Sequence, residues 1–286
     1  MYTIARARTK HMKNHFVFSY SGNKRQEVKR IYEAITCPGF GEGLPGLEGV
    51  ETIVEPFAGS AAVSYYISTQ HPLKFKYVLN DSDAKLCQLY ELMKDPEALG
   101  AFEREINGLL SVPGFGKAEY LALIKAGGLA GWFIGQKVKS IRPGLFPLRW
   151  KYKPVNFAGC PIVGFMQSEA VEVICGDAVA VLSRFDADPS ALIYLDPPYV
   201  SVCNEFYHDG RNLNIYKHLY YSRFVNSRIF ITVERHWIVD IIFAAWHKVD
   251  QYEKQYETSK TKCQHVFYRI DTEATPPQIA RDPPPS

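Results

Sequence analysis

The sequence predicts an α/β fold with a Rossmann-like, mostly parallel sheet, and three observations carry that expectation. Short apolar runs at residues 52–54, 77–79, 171–174, 191–195 and 229–233 have strand character. The first runs alternate with segments whose apolar residues recur at helical spacing, the order of a βαβ unit. At 286 residues the chain is long enough for one large α/β domain carrying a sizeable insertion.

Taken in order, residues 1–15, with Arg6, Arg8, Lys10 and Lys13, read as a loose basic arm. From 26 to 35, Val28, Ile31, Tyr32 and Ile35 line one helical face, which a glycine- and proline-rich stretch at 38–49 ends. The strand at 52–54 leads through the turn Glu55 to Gly59 into a helix of small residues beginning near Ser60. The strand at 77–79 runs into Asn80 and Asp81, and a helix follows with Leu86, Leu89, Tyr90 and Met93 on one face. Between 95 and 159 the periodicity breaks into a short amphipathic helix (99–110), glycines, prolines and aromatics, which read as an inserted, less regular subdomain. Regular structure resumes with a strand at 171–174, a helix at 178–182, strands at 191–195 and 229–233, and a closing hairpin over 254–270 whose part 264–268 is β-rich. The tail, 272–286, has too few large apolar groups to offset its ordering entropy and is expected to be disordered. One domain is thus expected from 16–94 and 160–271, interrupted by 95–159.

Bulk properties narrow the function. No apolar run is long enough to span a bilayer, and the basic N-terminus lacks an apolar h-region, so neither a membrane span nor a secretion signal is read. The six cysteines are scattered and the eight histidines do not cluster, so no metal site is expected and the thiols read as reduced. Net charge is only +3, but Lys117, Lys125, Lys137, Lys139, Arg142, Arg149, Lys151 and Lys153 stand against the one acid Glu119 in residues 117–153. So one-sided a block suggests a surface for a polyanion.

In open α/β sheets ligands bind beyond the carboxyl ends of the strands, which directs attention to Glu55 to Gly59, Asp81, Asp177 and Asp196 to Tyr199. "EPFAGSAAV" offers a glycine turn and a small-residue helix start, suited to a nucleotide phosphate, an adenosyl amino acid, or a tight turn alone. It lacks G-x-G-x-x-G and G-K-[ST], which argues against dinucleotide and P-loop readings. In "YVLNDSDAKL", Asp81 can accept from both hydroxyls of a ribose, or Asp81 or Ser82 can cap the following helix. "FSYSGNKRQEV" presents Tyr20 and Lys24, which could meet an adenine ring and a carboxylate, or form an ordinary loop with an exposed lysine. "LIYLDPPYVS" is the most specific stretch. Pro197 and Pro198 remove backbone donors and leave carbonyls as acceptors, so Asp196 and a carbonyl can both accept from one amino group while Tyr199 stacks on a planar base.

These four stretches, in this order, resemble the Dam-type, or D12 class, DNA adenine-N6 methyltransferases. The opening motif F-x-x-W-x-G-x-K of that family stands here as "FVFSYSGNK", the EPFxGxG motif as "EPFAGSAAV", the LND motif as "LNDSDAKLCQLYELMKD", and the catalytic motif intact as "YLDPPY". The resemblance spans roughly residues 16–270 and is weakest in the insertion. It implies a class I methyltransferase fold, S-adenosylmethionine as donor, and an adenine flipped out of double-stranded DNA as acceptor. Carried over, Tyr20 and Lys24 contact the cofactor, Glu55, Phe57, Ala58 and Gly59 line it, Asp81 holds its ribose, and Asp177 reaches its adenine. Asp196, at the junction of cofactor and base, and the Pro197 carbonyl accept from the target amine; Pro198 completes the motif, and Tyr199 stacks on the base. The insertion is then the target-recognition region, with Lys137, Lys139, Arg142, Arg149 and Lys151 on phosphates and Trp132, Phe133, Phe146, Trp150 and Tyr152 stacking or wedging.

Two departures stand out: Tyr20 replaces the usual Trp, and Ala61 a common Gly, adding a methyl where backbone approaches the cofactor. The D-P-P-Y motif also occurs in methyltransferases of cytosine N4, RNA bases and protein glutamine, and a catalytically weak DNA-binding homologue is a further alternative. The class implies a cytoplasmic enzyme, or one in a host cell's cytoplasm if phage-encoded, monomeric or weakly dimeric, with room for a cognate restriction endonuclease as partner.

Overall fold

The computed structural model describes residues 15–18, 24–36, 46–138, 151, 153–199, 212–222, 224–226, 228–244, 246–255 and 262–270. The strands among them are β1 (Thr52–Glu55), β2 (Lys76–Asp81), β3 (Val171–Cys175), β4 (Ala191–Leu195), β5 (Ile229–Glu234), β6 (His247–Gln255) and β7 (Lys262–Arg269). They form one sheet in the order β3-β2-β1-β4-β5-β7-β6. β1 pairs in parallel with β2 and β4, β2 with β3, and β4 with β5, whereas β7 runs antiparallel to both β5 and β6. This order, with one reversed strand, is the class I methyltransferase arrangement that the resemblance implies.

Parallel strands joined by helices must be covered on both faces, which explains why the inner strands are almost wholly apolar. Their side chains alternate between two cores. Ile53, Tyr77, Leu79, Leu192, Tyr194 and Phe230 face one side, against helices α1 (Val28–Thr36), α2 (Ala62–Gln70), α3 (Ala84–Lys94), α4 (Pro96–Leu110), α5 (Lys117–Ala126), α6 (Gly128–Lys137) and α7 (Pro161–Met166). Val54, Val78, Ile193, Leu195, Ile231 and Val233 face the other, against α8 (Ala178–Phe185), α9 (Asn212–Tyr221) and α10 (Trp237–Ile242). Each face follows the two-residue period of a strand. Among the described residues no helix is long and apolar enough to cross a membrane.

The expected strands all form, within a residue or so. Three segments differ from expectation. His15, placed by the sequence in a loose arm, is buried in the core and stacks on Tyr65 with ring centroids 5.2 Å apart. The hairpin begins at His247, not 254, because β6 is the outer strand and its exposed positions are polar, which hides it from an apolar pattern. The insertion is more regular than its composition suggests, with α4, α5 and α6 packed on the first core through Phe102, Ile106, Tyr120 and Phe133. Gly127 and Gly128, with φ of 74° and 70°, do break the chain between α5 and α6, but Gly131 within α6 is a packing residue. At Gly131 a Cβ would come 2.3 Å from the Leu123 carbonyl oxygen, so only glycine lets α5 and α6 approach this closely.

The sheet changes direction at its centre. From β1 the chain moves outward through β2 to β3, and from β4 it moves the other way to β5. The carboxyl ends of β1 and β4 therefore flank the crevice where open α/β sheets bind ligands.

Candidate active site

The β1 turn is held from several directions. Gly59 and Ala61 both adopt left-handed conformations, at φ 53° and 51°. The Gly59 carbonyl accepts from the Tyr90 hydroxyl of α3, and the Ser60 carbonyl is bonded to His15 Nε2 at 2.9 Å. Beneath the turn the Ala58 N–H donates to the Asn80 carbonyl (2.8 Å), and the Asn80 amide donates to the Pro56 carbonyl (2.8 Å) and to Gly176 (3.2 Å). Glu55, buried at the end of β1, accepts from the Ser64 N–H at 2.5 Å. Burial pushes its carboxyl up to about 7, and the Ser64 hydrogen bonds only partly oppose that rise. Ala61 itself is fully buried, so its methyl packs in the core and does not face a ligand; its cost lies in the backbone conformation.

At the end of β2 the two readings of Asp81 separate. Asp83 caps α3, its carboxylate accepting from the Lys85 (2.9 Å) and Leu86 (3.3 Å) N–H groups. Asp81 is thereby released from capping. It accepts from the Gly59 N–H and the Asp83 N–H, each at 3.0 Å, and so ties the β1 turn to the β2 end. Burial raises its carboxyl above the ordinary aspartate value against those two bonds.

At the end of β4 the fully buried run Ala191–Leu195 delivers Asp196 to the crevice. Lys24, expected as an exposed lysine or a cofactor contact, is buried with its Nζ 2.5 Å from Asp196 Oδ2. Burial would lower the lysine, but the Asp196 and Glu27 carboxylates outweigh it and hold the ammonium well above its usual range. For Asp196 burial raises the carboxyl and Lys24 opposes the rise. The other oxygen, Oδ1, receives only a long contact from the Tyr199 hydroxyl at 3.4 Å. The Pro198 carbonyl accepts from the Tyr216 hydroxyl of α9 at 3.0 Å, whereas no described residue donates to the Pro197 carbonyl. Tyr194, one residue before the motif in the strand, shares a buried hydrogen bond with Thr232 on β5 at 2.9 Å.

The structure thus brings together Lys24, Glu55, Gly59, Asp81, Asp196 and Tyr199, with Phe57 half-buried and Ala58 buried in the same turn. Asp177 lies apart in role: it is exposed and caps α8, accepting from the Val179 (2.8 Å) and Ala180 (3.2 Å) N–H groups. Lys137 is half-buried at the end of α6 and burial lowers its ammonium, while Lys151 is exposed. Tyr20, Lys139, Arg142, Arg149, Phe146, Trp150 and Tyr152 lie outside the described residues. Phe133, expected to stack on or wedge a nucleic acid, is instead a core aromatic, while Trp132, expected to do the same, is partly buried against that core. Phe133 is fully buried against Phe18, Phe102 and Phe157, with centroids 5.5 to 5.6 Å apart, and Trp132 meets Phe18 edge-on. Sequence reasoning missed His15, Tyr90, Tyr216, Lys254 and His265, which reach the site from other segments and carry no local motif, and Glu27, which lies in the Lys24 stretch but meets its partners only in the C-terminal hairpin.

With this geometry in hand, the chain is similar to the family described as D12 class N6 adenine-specific DNA methyltransferase, whose model matches residues 20–111. That match covers Lys24, the β1 turn and Asp81 and ends before the D-P-P-Y motif. No curated protein matches the chain. Among solved structures, the crystal structure of a SAM-dependent methyltransferase from Aquifex aeolicus aligns at 11% identity and a TM-score of 0.29, covering 88% of this chain and 100% of that one.

Proposed function

We propose that the protein transfers a methyl group from S-adenosylmethionine to the N6 amino group of an adenine in DNA, with the base flipped into the crevice between β1 and β4. The observation that supports it most is the pair of acceptors beside the Tyr199 ring at the sheet's switch point: Asp196 Oδ1, which takes a long contact from the Tyr199 hydroxyl at 3.4 Å, and the Pro197 carbonyl, to which no described residue donates.

The residues around the β1 turn fit the donor. Its sulfonium and ammonium are cations, and the carboxylates of Asp81 and Asp196 supply the opposite charge; its ribose hydroxyls suit the Asp81 carboxylate; its carboxylate suits Lys24. When bound, it supplies a methyl group already activated on sulfur, so the protein has mainly to align and to exclude water. Glu55 to Gly59 and Asp81 hold the donor end, and Asp196 with Pro197 orient the amine.

An adenine amino group is a weak nucleophile because its lone pair is delocalised into the ring. Accepting its two N–H bonds at Asp196 Oδ1 and the Pro197 carbonyl draws the nitrogen toward a tetrahedral geometry. Burial raises the Asp196 carboxyl and Lys24 on Oδ2 opposes that rise. Even so raised, an aspartate is far too weak a base to take a proton from a neutral adenine amine, so Asp196 polarises the amine before transfer, and the proton leaves from the cationic nitrogen once it carries the methyl group. In a duplex that amine is paired, so the base must leave the stack at a cost of a few kcal/mol. Tyr199 offers a face to the extruded ring, and the basic insertion holds the phosphates.

Transfer of tritiated methyl into duplex DNA, followed by nucleoside analysis, tests this. N6-methyladenine is expected, together with its loss in Asp196→Ala while calorimetry still detects cofactor binding. N4-methylcytosine, transfer into RNA alone, or no incorporation each refutes the proposal.

A further inference from the structure

Glu27 follows the turn that carries Lys24 and is buried; its N–H donates to the Lys24 carbonyl at 2.7 Å. Its carboxylate reaches across to the C-terminal hairpin. Oε1 lies 2.9 Å and Oε2 3.1 Å from the ammonium of Lys254 on β6, and Oε1 is 3.7 Å from Nδ1 of His265 on β7. His265 is fully buried and its ring meets the Tyr199 ring edge-on, with centroids 5.2 Å apart. Lys24 Nζ stands 5.3 Å from the centre of that same Tyr199 ring. The charges along this row alternate: Asp196, Lys24, Glu27, Lys254.

A buried row of charges is a weak source of stability, since desolvation consumes most of the attraction between neighbours. Its distinctive effect is on the group at its end. The negative charge of Glu27 attracts Lys24 and disfavours the Asp196 carboxylate through space, and Lys254, paired with Glu27, opposes its effect on Asp196.

We propose that Glu27, working with Lys254 and His265, is a positioning residue for methyl transfer: it fixes how firmly Lys24 engages Asp196 and braces Tyr199 from behind. This rests on the reading of Asp196 as acceptor of the target amine. Loss of the Glu27 charge removes a negative charge near Asp196 and favours its carboxylate, leaving Lys24 more firmly engaged; loss of the Lys254 charge removes a positive one and disfavours the carboxylate. Among the described residues, the other titratable groups facing Asp196 are Glu55 on β1, Tyr194 on β4, Tyr199 after it, Tyr216 on α9 and Tyr252 on β6, beside Glu27, Lys254 and the Asp196 partner Lys24.

The test is a carbon-13 NMR titration of the Asp196 carboxyl in full-length, aspartate-labelled protein, with Asp196→Asn identifying the signal. Glu27→Gln is expected to lower the midpoint by about 0.5 pH unit or more and Lys254→Met to raise it by a similar amount, with the double variant near the wild type. In single-turnover methylation of DNA the acid limb of the rate is expected to move in the same two directions. A purely structural role predicts slower rates with unmoved midpoints, and that result overturns the proposal. Opposite midpoint shifts in the two variants, with a wild-type protein that transfers no methyl group, refute the proposed function while leaving the charge coupling intact, and the positioning role falls with the function. If Glu27→Gln fails to fold, the upward shift in Lys254→Met decides alone.

Discussion

Ala61 shows how a single position can depart from a family pattern and still fold. At φ 51° a non-glycine residue bears roughly 1–2 kcal/mol of strain, and a glycine there would relieve it. Glycine, however, gives up about 0.4–1 kcal/mol through the unfolded chain, and roughly 0.8 kcal/mol more for the buried methyl it removes. These terms nearly cancel. Ala61→Gly is therefore expected to change stability by less than about 1 kcal/mol, and Ala61→Val, a branched residue in a left-handed and fully packed position, to lose about 2 kcal/mol or more. Urea denaturation measures both. A large gain from glycine would show that the strain is not compensated. The neighbouring acids teach the same lesson of context: Asp81 and Asp83 are two residues apart, and only the cap bonds of Asp83 reveal which one is available to a ligand.

Among the elements, β4 and its motif were fully legible, because a buried apolar strand ended by Asp-Pro-Pro has few structural explanations. α5 and α6 were not. Glycine costs about 1 kcal/mol in a helix, so "GLAGWFIGQK" reads locally as interrupted, yet Gly131 is what allows the two helices to touch. Gly131→Ala is expected to force them apart and to destabilise the insertion by about 1–3 kcal/mol. Calorimetry should then find cofactor affinity retained and DNA affinity reduced if this pair of helices supports the nucleic-acid surface. Unchanged DNA affinity with loss of stability would remove that support.

At the scale of the molecule the insertion shares the first hydrophobic core with the sheet, so a basic face built on it is carried by the same body as the crevice. This suits the proposal that it contacts DNA phosphates. Exchanging Lys137, Lys139 and Arg142 for neutral residues is expected to weaken DNA binding and to flatten its dependence on salt by about one unit of slope per lost phosphate contact. Fluorescence anisotropy across a salt series measures the slope. An unchanged slope assigns the DNA surface elsewhere.

Local signals were enough to determine that this chain builds a mostly parallel sheet, where its parallel strands lie to within one or two residues, and that Glu55, Asp81 and Asp196 stand at the strand ends. A strand announces itself by two-residue alternation or a buried apolar run, and a motif such as D-P-P-Y is written in consecutive residues, so neither depends on distant chain. Tertiary structure alone decided the rest. Lys24 became the partner of Asp196, Phe133 went to the core against Phe18, and Glu27, Lys254 and His265 formed a buried row behind the site. Partners of this kind lie more than a hundred residues apart in the chain, and their energies exist only once the sheet has brought them within a few ångströms.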